Sequence, residues 1–350
     1  MIKKTRKSEH LYQTGNTDLD QKISELVQSI DAGANADLLH DIIVTAAKLH
    51  EDGMERGDLR MLTTALKELR YALKVFHPYQ HIRKVAIFGS ARTPNTSPDY
   101  KLTLKFSRAI VDAGWMVVTG AASGIMQAGN EGAGRAHSFG VNIRLPFEQE
   151  ANPFIIDDPK LINFKYFFTR KLIFIRESDA TVLFPGGFGT HDEGFETLTL
   201  VQTGKAVPRP IVCLDRKGST YWKSWCHFLK KELGGGRMID PDDLGMIHFT
   251  HDPYEAVRVV THFYRNYHSS RYIGDMLVIR VKQALSAAKI KELNKEFKSI
   301  LAKGTIQQHA HGFPEEENET HTFEFPRISL HFNRRHFAKM IQLINRINEE

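Results

Sequence analysis

Cysteine is nearly absent: Cys213 and Cys226 are the two thiols among 350 residues. Two cysteines cannot frame a disulfide scaffold, so a reducing, cytoplasmic setting is expected. Long apolar runs are missing too. None reaches the roughly 20 residues of a bilayer-spanning helix, and no membrane partner is expected. Residues 1–7 are basic, but a mostly polar run to residue 17 follows, with no apolar h-region, so no signal peptide is expected. Neither sign of charge dominates: 47 Lys and Arg against 41 Asp and Glu leave +6. That excess is compatible with an anionic substrate or with weak nucleic-acid contact and decides neither; nucleic acid is not an expected partner.

Two nucleotide signatures are absent as well. The turn Gly89-Ser90-Ala91-Arg92 is not G-x-G-x-x-G, and the next strand ends Thr119-Gly120-Ala121 without the acid that grips a dinucleotide ribose. Gly204-Lys205-Ala206 has neither the upstream glycine nor the Ser/Thr of a P-loop. His309-x-His311 and the pair His331 and His336 do not form a zinc ligand set. No metal and no cofactor is therefore expected. No lysine stands in a recognisable pyridoxal phosphate context.

What is present has the ordinary balance of a soluble domain, 41% hydrophobic and 25% charged. Residues 1–18 read as a polar tail. Ile23, Leu26, Val27 and Ile30 repeat at helical spacing, as do Leu38, Leu39, Ile42 and Ile43, and then Leu59, Leu62, Leu66, Leu69 and Leu73. About three packed helices are expected before His77-Pro78. From residue 84 short apolar runs alternate with helical patterns. Strands are predicted at 85–88, 115–119, 140–145, 180–184, 210–214 and 246–249. Helices are predicted between them, including 163–176 and 222–232, and after the last strand at 253–264. This alternation predicts an α/β fold, a doubly wound and mainly parallel sheet whose carboxyl ends line a ligand crevice. After residue 265 the pattern changes to strand 275–281, helix 284–301, strand 304–309, a solvated acidic loop at 314–319, strand 327–332 and helix 336–347. The expected organisation is a helical segment 1–83, a nucleotide-binding domain 84–265, and a small α+β appendage 266–350.

One stretch carries the chemistry. After the apolar run to Phe184 comes Pro185-Gly186-Gly187-Phe188-Gly189-Thr190-His191-Asp192-Glu193, then a helical pattern. A strand, a glycine turn and a helix N-terminus aim backbone N–H groups and the helix dipole at an anion. Asp192 and Glu193 stand in the first helical turn. Asp192 is read as stabilising the dipole.

Together with Phe167-Phe168-Thr169-Arg170-Lys171 and Thr199-Leu200-x-Gln202-Thr203-Gly204-Lys205, this stretch resembles the LOG ("Lonely Guy") family. These are cytokinin riboside 5′-monophosphate phosphoribohydrolases, long labelled lysine decarboxylases. The turns Gly89-Ser90 and Thr119-Gly120-Ala121-Ala122-Ser123-Gly124-Ile125-Met126 resemble the family's first two nucleotide turns, although many members have more glycine where Ala121-Ala122 stands. The resemblance spans about residues 84–264, and the flanks look closer to the family's long bacterial members, which points to nucleotide salvage. It implies a Rossmann-like sheet and hydrolysis of the N-glycosidic bond of a nucleoside 5′-monophosphate, AMP first, to free base and ribose 5-phosphate. Arg170 and Glu193 match the catalytic pair. Gly187, Gly189 and Thr190, within the turn begun by Pro185 and Gly186, are expected at the phosphate, as is Lys171 next to Arg170. Gly89, Ser90, Gly120, Gly124 and Met126 are expected across the crevice, near base and ribose. A homo-oligomer is implied. The alternative is a nucleotide sensor on the same fold that turns nothing over.

Overall fold

The computed structural model describes residues 12–145 and 150–349, so most of the expected polar tail lies outside the described residues. The chain divides into two compact units between Lys67 and Glu68.

The first unit is helical, as its periodicity predicts. It holds α1 (Thr17–Ile30), α2 (Ala36–Glu51) and the start of α3 (Arg56–Phe76). Asn16 caps α1 by accepting from the Leu19 N–H. Its core is small: Ile23, Val27 and Val44 are buried, with Leu39 and Ile43 against them. Leu26, Ile30, Leu38, Ile42, Leu62 and Leu66 are exposed. Three helices of this length have too little shared interior to cover every apolar position of the repeat.

The second unit is built on β1 (Lys84–Phe88), β2 (Met116–Thr119), β3 (Ser138–Ile143), β4 (Leu161–Phe164), β5 (Ala180–Leu183), β6 (Ile211–Leu214) and β7 (Ile247–Thr250). All pair in parallel, in the order β4-β3-β2-β1-β5-β6-β7. Residues alternate between the two covered faces. Val85 and Ile87 enter one core with Phe106, Val117 and Val182. Ala86 and Phe88 enter the other with Met116, Val118 and Phe174. Burial on both faces explains why these strands read as continuous apolar runs. The connecting helices are α4 (Pro98–Asp112), α5 (Ile125–Ala133), α6 (Phe167–Glu177), α7 (Phe188–Gln202), α8 (Tyr221–Phe228) and α9 (Pro253–Phe263). A single π turn, Leu229–Gly234, continues α8. Strand order reverses between β1 and β5, each the other's neighbour though far apart in sequence. At that switch point the connections leave in opposite directions and open a crevice at the carboxyl ends.

The 163–176 helix begins only at Phe167, because Leu161–Phe164 pairs with β3 as the edge strand β4. A strand β8 (Tyr267–Ile273) stands where none was expected. It pairs with β9 (Met276–Val281), and the sheet continues through β11 (Arg327–Phe332) to β10 (Leu301–His309) in the order β10-β11-β9-β8. The C-terminal piece is thus a separate antiparallel sheet, with α10 (Ala287–Glu296) and α11 (Phe337–Ile347). Its inner residues Leu277, Ile279, Ile328 and Leu330 share one core with Val260 and Phe263 of α9.

The acidic 314–319 stretch is not wholly a solvated loop. Glu316 is fully buried. Its carboxylate accepts from Arg280 Nε at 2.9 Å and Arg327 Nε at 3.0 Å. Two strand arginines, Arg280 on β9 and Arg327 on β11, pull this acid inside because they too must be paired there.

Candidate functional site

A cleft of about 930 Å³ opens at the carboxyl ends of β1, β2 and β5. Of the expected residues, Gly89, Ser90, Gly120, Met126, Arg170, Gly186, Gly187, Gly189, Thr190 and Glu193 line it. Gly124, Lys171 and Pro185 do not.

The turns after β1 and β5 are stitched together. Ser90 N–H donates to Pro185 C=O at 3.1 Å, and Ile125 N–H donates to Ser90 C=O at 3.0 Å. Pro185 therefore serves through its carbonyl. Gly124 has φ of +65°, and a Cβ there would strike the Ser90 carbonyl, so its place is the packing of the second turn. A Cβ on Gly89 would lie 2.5 Å from Ile125 Cγ2. Ala121 holds φ of +60°, a conformation that glycine adopts more cheaply. Asn152 fastens it: its N–H and its side-chain amide both donate to the Ala121 C=O, at 2.8 and 3.0 Å.

The start of α7 faces the cleft. Its N-cap is Gly187, and no side chain caps it. Thr190 and His191 N–H groups turn back to the Gly187 C=O at 3.1 and 3.3 Å. Helix geometry leaves the N–H groups of Gly187, Phe188 and Gly189 without intrahelical acceptors. An uncapped, glycine-lined N-terminus with the dipole behind it can seat an anion.

Two charged side chains stand beside that seat. Arg170 comes from the first turn of α6, its guanidinium carbon 5.1 Å from the centre of the Phe167 ring and 5.8 Å from that of Phe174. Glu193 comes from α7 and is 3% exposed. Arg170 Nη2 lies 3.6 Å from Glu193 Oε1, an ion pair too long for a direct hydrogen bond. Neither carboxylate oxygen of Glu193, nor Arg170 Nε, has a hydrogen-bond partner among the described residues. Burial pushes the Glu193 carboxyl up to about 7, against the downward pull of Arg170 and Lys171. Burial also lowers the Arg170 pKa, with Glu193 opposing. A carboxyl that titrates near neutrality beside an anion seat is equipped for proton transfer.

Lys171 is directed elsewhere. Its ammonium pairs with Asp192 at 2.7 Å and Glu196 at 3.4 Å. Asp192 is exposed.

Several lining residues are assigned no role by the sequence: Phe88, Asn142, Phe174, Phe188 and His191. Phe188, inside the glycine turn, is 97% exposed at the cleft. His191 Nε2 lies 2.7 Å from the Tyr221 hydroxyl, which also meets both backbone groups of Gly186. His191 was visible within the motif. Tyr221 is 30 residues further on and carried no signal.

Residues 119–260 match the family described as possible lysine decarboxylase. The match begins at the end of β2 and takes in the Arg170 and Glu193 turns. A search of curated proteins finds no match. Among solved structures, similarity extends to the structural-genomics target TM1055, 22% identical over 51% of this chain and 99% of that one, with TM-score 0.37. The molybdenum cofactor carrier protein of Chlamydomonas reinhardtii is 20% identical over 51% of this chain and 96% of its own, with TM-score 0.36. DNA processing protein A of Streptococcus pneumoniae is 13% identical over 71% and 94%, with TM-score 0.36. Likeness at this level carries no statement of function.

Among the described residues no cluster of His, Cys, Asp and Glu is arranged to hold a metal ion. No described helix is long and apolar enough to cross a membrane.

Proposed function

We propose that the cleft hydrolyses the N-glycosidic bond of nucleoside 5′-monophosphates, AMP first, to free base and ribose 5-phosphate. One observation carries the reading: a buried carboxylate with both oxygens unpartnered, facing a buried arginine, beside an uncapped helix N-terminus. The N–H groups of Gly187, Phe188 and Gly189 take the 5′-phosphate. Gly89, Ser90, Gly120 and Met126 border the ribose and base.

In the reaction a water oxygen attacks the anomeric carbon as the bond to the base nitrogen breaks. The bond's electron pair leaves with the base, which takes up a proton. Positive charge builds on the ribose ring, and the ionised Glu193 stabilises it and accepts a proton from the water. Arg170 holds Glu193 ionised and oriented. Its Nε, without a partner among the described residues, is free for a substrate oxygen.

A pyridoxal phosphate decarboxylase would need a lysine amine in the cleft. No lysine lines it among the described residues, so the cleft does not fit that cofactor. On α6, Phe168 and Leu172 are one turn apart and exposed at 54% and 51%. An apolar strip of this kind supports association of two copies, the assembly that the family resemblance implies.

The deciding experiment is base release from nucleosides and from their mono-, di- and triphosphates. Release from monophosphates, AMP foremost, is expected. No release from any nucleotide would leave a nucleotide sensor instead.

A further inference from the structure

The glycine turn is fastened by a group outside the cleft. Tyr221, the first residue of α8, does not line the cavity. Its hydroxyl donates to the Gly186 C=O at 2.5 Å and accepts from the Gly186 N–H at 3.2 Å. The hydroxyl has one proton, and the carbonyl takes it. The 2.7 Å contact to His191 Nε2 then requires the imidazole to donate. His191 also lies along the phenol ring, centroids 5.9 Å apart and planes 21° apart. Trp222 meets the same phenol ring edge-on at 4.8 Å, and its Nε1–H donates to the Leu214 C=O.

The consequence follows from peptide geometry. In a trans peptide C=O and N–H point in opposite directions. Tyr221 holds the Gly186 C=O, so the N–H of the same peptide, that of Gly187, points away from Tyr221, and Gly187 itself lines the cleft. Were this peptide to turn over, a carbonyl oxygen would face the bound anion. The Gly186 N–H is already committed to Tyr221 and takes no part in anion binding. A Cβ on Gly186 would collide with Thr190 Oγ1, so only glycine lets the latch close this tightly.

We propose that Tyr221, backed by His191, is a positioning residue that latches the Gly186–Gly187 peptide with its N–H toward the substrate phosphate. The proposal rests on the phosphate-anchor reading above. Tyr221→Phe removes all three hydrogen bonds and keeps the ring packing. It is expected to weaken ribose 5-phosphate binding about tenfold by calorimetry, a loss of about 1.4 kcal/mol. KM for AMP is expected to rise in step while kcat stays within about twofold. His191→Ala, which keeps the tyrosine, is expected to shift binding the same way by about threefold, and serves if the first variant does not fold. Unaltered ribose 5-phosphate binding in the folded variant, or a fall in kcat at constant KM, overturns the latch. A parent chain that binds neither ribose 5-phosphate nor inorganic phosphate refutes the anchor itself, and the latch with it.

Discussion

Arg170 Nη2 stops 3.6 Å from Glu193 Oε1, and both groups are largely buried. A closed structural ion pair at that depth normally satisfies its remaining polar atoms, because an unpaired buried charge is costly. This one leaves three side-chain atoms without hydrogen bonds among the described residues. These unpartnered atoms are the ones that the proposed reaction would use.

Glu193→Gln keeps the shape and removes the base. Turnover of AMP is expected to fall by about 10²–10⁴-fold, with AMP binding retained. Base release and equilibrium binding are measured side by side. A Gln variant that turns over at the parent rate removes Glu193 from the mechanism.

The same carboxyl sets a pH profile. With its pKa lifted to about 7, activity is expected to rise with pH through that value and then level off. Arg170 pulls the pKa down, so in Arg170→Gln the residual activity should have its rising limb at higher pH. A limb that stays in place would mean that another group titrates.

Stability carries the opposite sign. The folded carboxyl binds its proton more tightly than the ordinary value of 4.5 allows, so folding free energy is lost as pH rises from about 4.5 to about 7. Pairing with Arg170 is already within that balance. Glu193→Gln should therefore be more stable than the parent at pH 8, on the order of 1–3 kcal/mol, and level with it near pH 4. Urea unfolding at both pH values reads this. A variant less stable at pH 8 contradicts the burial argument.

Glu316 makes a contrasting case. Burial raises its carboxyl, but hydrogen bonds from Arg280, Arg327 and the Phe313 N–H outweigh that, and the net shift is downward. Its contribution is present above the ordinary carboxylate pKa and disappears as pH falls through the lowered one. Glu316→Gln leaves the buried Arg327 without its counter-charge, while Arg280 keeps Glu319, and should cost about 3–5 kcal/mol at neutral pH. The deficit relative to the parent should shrink in acid, as denaturant titration would show.

The exposed Phe168 and Leu172 predict assembly. Replacing both with Glu should lower the mass seen by light scattering without lowering the melting temperature. A parent chain that is already monomeric contradicts this.

The parallel sheet is legible in the amino-acid pattern, since strands buried on two faces must be apolar along their whole length. The pattern also marks the uncapped helix start at Gly187, because strand, glycines and helix are contiguous there. Edges and returns were harder to read. β4 ends at Phe164 against aromatic residues that suit a helix equally well, and β8, Tyr267–Ile273, holds polar residues that only a neighbour strand makes regular. Glu316 looked solvated because its partners, on β9 and β11, are distant in the chain. The site divided in the same way. Arg170 and Glu193 were each legible in a motif, but their 3.6 Å spacing and unpartnered oxygens required α6 and α7 to pack side by side. Tyr221 has no local signature, because its role is set by one hydroxyl reaching a peptide 35 residues away. Local order follows from local chemistry. A pKa, a latch or a buried pair depends on groups that only the tertiary fold brings together and shields from water.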